Sequence, residues 1–213
     1  MMRNIPMFTV ESGVASLILE EIPYKKIAYI RLQATETPEA LLDECVSFCK
    51  AVGAERIYAT GHDCLDEYPL YTQICELYQL RSQLPSTECV ATQVKMDNLN
   101  EWLALYNERM AAVPNVATMT YALSERYITD KHAYFVYDRD VRIGLGVVST
   151  GRLDALASLM PGRGADVLCA LSKELSGDSV TVEVAVTNEK AMSLYQRLGF
   201  ANVKEISRWY EIL

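Results

Sequence analysis

Histidine is nearly absent from the chain: His62 and His132 are the only two in 213 residues. Six cysteines are present (Cys45, Cys49, Cys64, Cys75, Cys89 and Cys169), but no Cys-x-x-Cys pair and no neighbouring histidine cluster. A tetrahedral metal site needs such clusters. Cys45 and Cys49 stand four apart on one face of an expected helix, where they could bind metal or, as the favoured reading, sit as buried apolar thiols. No resident metal is expected. Apolar runs fall well short of the roughly 20 residues that cross a bilayer, and the opening Met-Met-Arg-Asn-Ile-Pro has no signal-peptide core. No membrane contact and a cytoplasmic location with reduced thiols are therefore expected. Positive charge is scarce as well: 20 Lys and Arg face 28 Asp and Glu, for a net charge of -8 and a pI near 4.9. No basic cluster interleaves with aromatics, so nucleic acid is not an expected partner. An acidic surface tolerates a cationic amine, although much of that charge serves to keep a protein soluble.

Half of the chain is hydrophobic, enough for a sizeable core. The most informative stretch is 188–200, directly after a strand-like alternation over 180–187. Asn188 is a good helix cap, Glu189 places a carboxylate in the first turn, and Ala191, Leu194 and Leu198 recur at helical spacing. Gly199 falls where a helix end favours a left-handed residue. By themselves these residues describe a strand, a helix, a turn and an aromatic anchor, with the Tyr195 ring packed on the strand.

Asn188, Ala191, Leu194-Tyr195 and Leu198-Gly199-Phe200 together resemble the C-terminal signature of the GNAT superfamily of N-acetyltransferases. The resemblance implies that Tyr195 donates a proton to the leaving coenzyme A thiolate and that Asn188 lies beside the pantetheine arm. It extends to the order of elements from about residue 88: a strand over 89–95, a helix carrying Leu99, Trp102, Leu103, Leu105 and Tyr106, and a short helix over 122–128. A hairpin of 133–137 and 141–149 follows across Asp138-Arg139-Asp140. Then come a strand over 153–160, a helix over 165–175, the strand at 180 and a last strand over 203–213. The implied fold is α/β (α+β), a mixed, mostly antiparallel twisted sheet flanked by helices and extended by an N-terminal partial repeat.

In that family an Arg/Gln-x-x-Gly-x-Gly/Ala loop opens a helix whose backbone N–H groups and dipole hold a pyrophosphate. The loop here is Leu159-Met160-Pro161-Gly162-Arg163-Gly164-Ala165-Asp166. With Gly164 as the first motif glycine, the motif's Arg or Gln falls on Pro161 and its last small residue on Asp166. The Asp166 carboxylate repels a pyrophosphate unless it points away or caps the helix. Arg163 is the residue that can compensate. The structural alternative is a tight turn between strand and helix.

Residues 1–85 precede this domain. Two strand-like runs lead to Thr37-Pro38-Glu39, which opens a helix with Ala40, Leu41, Leu42, Cys45, Phe48 and Cys49 inward, ending at Gly53. A short strand over 56–60 and a helix over 68–80 are expected next. The order reads as a degenerate half-GNAT-like βαβα segment, serving as sheet extension and core support more readily than as a lid. Gln83-Leu84-Pro85-Ser86-Thr87 punctuates the chain, giving domains 1–85 and 86–213.

The reaction implied is direct transfer of an acetyl group from acetyl coenzyme A to a primary amine on a small molecule or peptide. Backbone N–H groups around Leu159 would polarise the thioester, and Tyr195 would act as general acid. Glu183, in the strand among Val182, Val184 and Val186, and Asp154 are both candidates for the base, as is a water chain. Glu183 alternates onto the face opposite the valines, which suits a solvated or salt-bridged role equally well. The alternative to catalysis is a GNAT-like acyl-CoA-binding or protein-interaction module, and the resemblance also allows a homodimer. Trp102, Tyr106, Tyr121 and Tyr127 are pocket or core residues, with acceptor specificity expected from about 102–129.

Overall fold

The computed structural model describes residues 6–213, so the first five residues of the leading segment considered for targeting lie outside the described residues. The described residues form two compact units, one running to Ile74 and taking in Glu205–Leu213, the other Cys75–Lys204. The sequence division at residue 86 follows punctuation and repeat logic, a different criterion from packing.

The first unit holds β1 (Met7–Val10), β2 (Gly13–Ile18), the one-turn α1 (Ile22–Lys25), β3 (Ile27–Ala34), α2 (Pro38–Ala51) and β4 (Arg56–Thr60). It also takes the first half of β5 (Leu70–Leu80) and the second half of a last strand, β11 (Ala201–Glu211). β1, β2 and β3 pair antiparallel, while β3 and β4 pair parallel, Tyr29 opposite Tyr58, with α2 as the crossover. β11 pairs antiparallel to β4 at Tyr210 and Ala59. Alternation along β3 and β4 sends Ala28, Ile30, Ile57 and Ala59 against Leu41, Leu42, Cys45 and Cys49 of α2. Tyr29 and Tyr58 point the other way and join Tyr71 and Trp209. Tyr58 stacks on Tyr71 at 3.9 Å and Trp209 meets Tyr29 edge-on at 5.4 Å. Cys45 and Cys49 are fully buried, which pushes their thiols up to about 12 and about 11.

One expectation is overturned here. Residues 70–80 form strand β5, not a helix, with no turn of α-helix over 68–80. Leu70, Ile74 and Leu77 satisfy helical spacing, but Tyr71, Thr72, Ile74 and Tyr78 are β-branched or aromatic and favour a pleated surface. Burial of Thr72, Ile74, Leu77 and Gln79 follows a strand's alternation with one offset. The supposed echo of the 188–200 helix in 66–74 therefore fails, and the segment's order is β-β-α-β-α-β-β instead of βαβα.

The second unit continues with β6 (Val90–Gln93), α3 (Leu99–Met110), α4 (Tyr121–Thr129), β7 (Ala133–Asp138), β8 (Val141–Ser149), β9 (Arg152–Ser158), α5 (Gly164–Ser172), β10 (Ser179–Ala185) and α6 (Glu189–Arg197). β6 to β9 form an antiparallel meander, registered at Phe135 opposite Leu145 and Leu145 opposite Ala157. Ala133, Phe135, Leu145 and Val147 face α3 and α4, where Leu99, Trp102, Tyr106 and Met110 make one buried stripe. Tyr134 and Val136 face the cluster containing Val167, Leu168 and Leu171 of α5. α5 lies unusually close to β8: a Cβ on Gly144 would come within 2.3 Å of Val167, and one on Gly146 within 2.4 Å of Leu171. The architecture is a mixed α/β fold with a mostly antiparallel sheet flanked by helices.

Candidate functional site

β9 and β10 are neighbours in space, yet β9 ends the four-stranded sheet β6-β7-β8-β9 and β10 belongs to a different sheet. Each therefore presents an edge to the other without a shared ladder. At its C-terminal end β9 runs into 159–163 and α5; at its own end β10 runs into Asn188 and α6. The two helices thus begin where the two edges end.

The α5 terminus is lined with backbone donors. The N–H groups of Gly162, Gly164, Ala165 and Asp166 have no acceptor among the described residues. Gly162 adopts φ +80°, and nothing lies within 4 Å of the position its Cβ would take. Only glycine holds this conformation without strain, and it leaves the turn bare of side chain. Arg163 caps the bend and spends its guanidinium on carboxylates. Its Nη2 donates to Asp138 at 2.7 Å, its Nε donates to Asp166 at 2.6 Å, and Nη2 also reaches the Cys89 thiol at 3.5 Å. Hydrogen bonding to Asp138, then to Asp166, raises the guanidinium's pKa further above its ordinary value. Asp166 additionally accepts from Thr87 Oγ1 at 3.4 Å.

Two expectations about this loop change. Arg163 is not a free compensating cation, because Asp138, a residue read in the sequence only as part of a hairpin turn, holds it together with Asp166. The Leu159 N–H is not free to polarise a carbonyl either: it donates to Ile143 O at 2.8 Å. Alternation along β9 then turns the Ser158 N–H outward, and the Met160 N–H has no acceptor among the described residues. Pro161 and Met160 are exposed at the turn, and the Ser158 hydroxyl donates to Met160 O at 2.5 Å.

Asn188 caps α6 as its sequence position predicts. Its side-chain oxygen accepts from Ala191 N at 3.3 Å, and its own N–H closes onto Ala185 O at 2.9 Å. Tyr195 is buried, its ring 5.3 Å from Phe200. Desolvation raises its pKa, so the phenol keeps its proton at neutral pH. The hydroxyl has no hydrogen-bond partner among the described residues, yet the oxygen is not sealed off from solvent. Such a proton is available to an incoming group.

Glu183 and Asp154 converge on one cation. Arg152, opening β9, places Nη2 2.7 Å from Glu183 and Nε 3.2 Å from Asp154. The Nε contact is too poorly aligned for a hydrogen bond, which leaves that buried atom unsatisfied. Glu183 is exposed, opposite the buried Val182 and Val184, as alternation requires. Among the aromatics proposed for a pocket, Trp102 and Tyr106 are core, while Tyr121 is exposed on α4. Arg152, Asp138 and Cys89 were not singled out by the sequence, since no local spacing connects residues from different strands.

No protein-family model matches the chain, and no curated protein matches it. Solved structures do. A functionally unknown conserved protein from Staphylococcus epidermidis aligns at 12% identity and TM-score 0.60, over 98% of this chain and 93% of that one. An acetyltransferase of the GNAT family from Colwellia psychrerythraea aligns at 12% identity and TM-score 0.51, over 96% and 84% of the two chains. A GCN5-related N-acetyltransferase from Anabaena variabilis aligns at 14% identity and TM-score 0.58, over 87% of this chain and 54% of that one. The unpaired edges of β9 and β10, the helices that start beside them and this agreement with solved structures lead to one conclusion: the chain has the GNAT fold.

Proposed function

We propose that this protein is an N-acetyltransferase that moves an acetyl group from acetyl coenzyme A to a primary amine by direct attack. The observation that carries the reading is the row of N–H groups at Gly162, Gly164, Ala165 and Asp166 without an acceptor among the described residues, opening α5 just beyond the end of β9. Backbone donors at a helix start suit a diphosphate, and the open space at Gly162 lets it approach closely. The residues present fit the co-substrate on this count. Asn188, whose side-chain NH2 has no acceptor among the described residues, is the group assigned to the pantetheine.

The chemistry then needs three things: a deprotonated amine, a stabilised oxyanion and a protonated thiolate. Attack of the amine nitrogen on the thioester carbonyl forms the C–N bond and breaks the C–S bond. The outward N–H groups of Ser158 and Met160 replace Leu159 as oxyanion donors. Tyr195 supplies the proton to sulfur. Glu183 and Asp154, which both contact Arg152, remain the base candidates, and a water chain is the third. Residues 1–85 are read as a half-GNAT-like segment. The acceptor is a small-molecule or peptide amine, with no nucleic acid, and the expected setting is the cytoplasm.

The second reading, a non-catalytic acyl-CoA-binding or interaction module, draws on the carboxylates of Asp138 and Asp166 beside the same helix start. Calorimetric titration of acetyl coenzyme A into the wild type and Tyr195→Phe separates the two. Micromolar binding by both, with acetylation of an amine panel by the wild type alone, supports the enzyme. Binding without turnover supports the module. No heat at millimolar co-substrate refutes both.

A further inference from the structure

Arg163 is the one cation in the 159–166 loop, and both of its strong contacts are carboxylates of the protein. Asp138 arrives from the end of β7, beside the β7–β8 turn, and Asp166 from the first turn of α5 itself. The three side chains are about one-third exposed, at 30%, 38% and 40%, so they border the same solvent that a diphosphate would enter from. Counting charges, one guanidinium between two carboxylates leaves the cluster at -1. The field at the adjacent N–H groups is therefore less favourable to an anion than the bare helix terminus would be.

Resting on the acyl-CoA reading above, we propose that Asp138 is a positioning residue that limits cofactor affinity: by engaging Arg163 it keeps the guanidinium away from the diphosphate and adds a competing negative charge. The two carboxylates have different duties. Asp166 is i+3 from Arg163 on its own helix, so their contact is local and persists whatever Asp138 does. Asp138 is 25 residues away and reaches across from the hairpin. It alone can release the outer Nη2 without disturbing the helix start. Neutral at position 138, the loop regains a cation for the phosphates; charged, it must be outcompeted by them. A chain with this arrangement binds its acyl donor weakly at rest, and added salt weakens that binding little because it screens the cluster's repulsion along with the attraction of the helix start.

The test uses the full chain as wild type, Asp138→Asn and Asp140→Asn, the last removing an equal charge from the same hairpin without touching Arg163. Coenzyme A, pantetheine and inorganic pyrophosphate are titrated calorimetrically at two salt concentrations. The expected result is that Asp138→Asn tightens coenzyme A and pyrophosphate on the order of tenfold, leaves pantetheine unchanged and makes the binding of both anions fall more steeply with salt than in the wild type, while Asp140→Asn behaves as wild type. Equal tightening by both variants would reduce the effect to bulk charge and overturn the inference. So would weaker coenzyme A binding by Asp138→Asn with an unchanged unfolding midpoint, because the pair would then build the loop instead of restraining it. Pyrophosphate tightened as expected with no binding of coenzyme A or pantetheine leaves the Asp138 restraint standing and removes the acyl-CoA reading. No pyrophosphate binding by any of the three proteins refutes the restraint itself.

Discussion

Replacing Gly199 with alanine probes the most heavily constrained turn of the second unit, the one that ends α6 four residues after Tyr195. Gly199 has φ +77°, and a Cβ there would lie 2.6 Å from Nε2 of Gln79. That amide is not idle. It donates to the carbonyls of Leu198 at 3.0 Å and Gly199 at 2.7 Å, while its oxygen accepts from Leu80 N at 2.8 Å. Gln79 is 7% exposed, so a displaced amide has little water to turn to. The left-handed backbone costs an alanine about 1–2 kcal/mol. Losing the two amide bonds while leaving their carbonyls covered adds about 1–2 kcal/mol. The expected loss is therefore about 2–4 kcal/mol. Gly177, at φ +92° with nothing within 4 Å, isolates the backbone cost alone. Urea unfolding followed by Trp102 fluorescence in a Trp209→Phe background reports on this unit. Gly199→Ala should fall below Gly177→Ala by the Gln79 contribution. A cycle with Gln79→Ala should be non-additive, since removing the amide removes the collision. Equal losses at the two glycines, or strict additivity in the cycle, would refute this account.

Three further outcomes follow from the same geometry. Gly144→Ala and Gly146→Ala each drive a methyl into Val167 or Leu171 and should cost about 1–3 kcal/mol in urea unfolding, as overpacking does. Tyr195→Phe should leave stability within about 0.5 kcal/mol, because the hydroxyl has no partner among the described residues, while lowering amine acetylation on the order of a hundredfold or more. Cys45 and Cys49 carry thiols pushed up to about 12 and about 11, above the usual thiol range near 8.5, so the folded state holds these protons more tightly than the unfolded one. That contribution is complete below the unfolded pKa and is lost as pH rises through 9 to 12; unfolding free energies compared at pH 7 and pH 10 should fall more for the wild type than for a Cys45→Ala variant.

The elements that the sequence announced best are those with both a period and a punctuating residue. Asn188, Ala191, Leu194 and Gly199 marked α6 at both ends, and cap, helix and left-handed turn are all present. α2 was legible for the same reason, with Pro38 at its start and Gly53 just beyond its end. β5 was not, because an apolar spacing of 70, 74 and 77 satisfies a helix while its β-branched and aromatic content belongs to a strand, and periodicity alone does not rank the two. β1 was missed because four residues carry too little alternation to register. Gly144 and Gly146 announced themselves weakly too: inside a strand a glycine signals a close approach, but only the structure says that α5 is what approaches.

The site divides along the same line. Residues whose role depends on their own backbone, such as Gly162, Gly164 and Asn188, were found from local sequence, because a turn or a cap is specified within a few positions. Those whose state depends on a distant side chain were found as residue types but not as chemical states. Arg163 was identified as the cation of the loop, yet its availability is set by Asp138 on another hairpin; Glu183 and Asp154 were identified as carboxylates, yet both face Arg152.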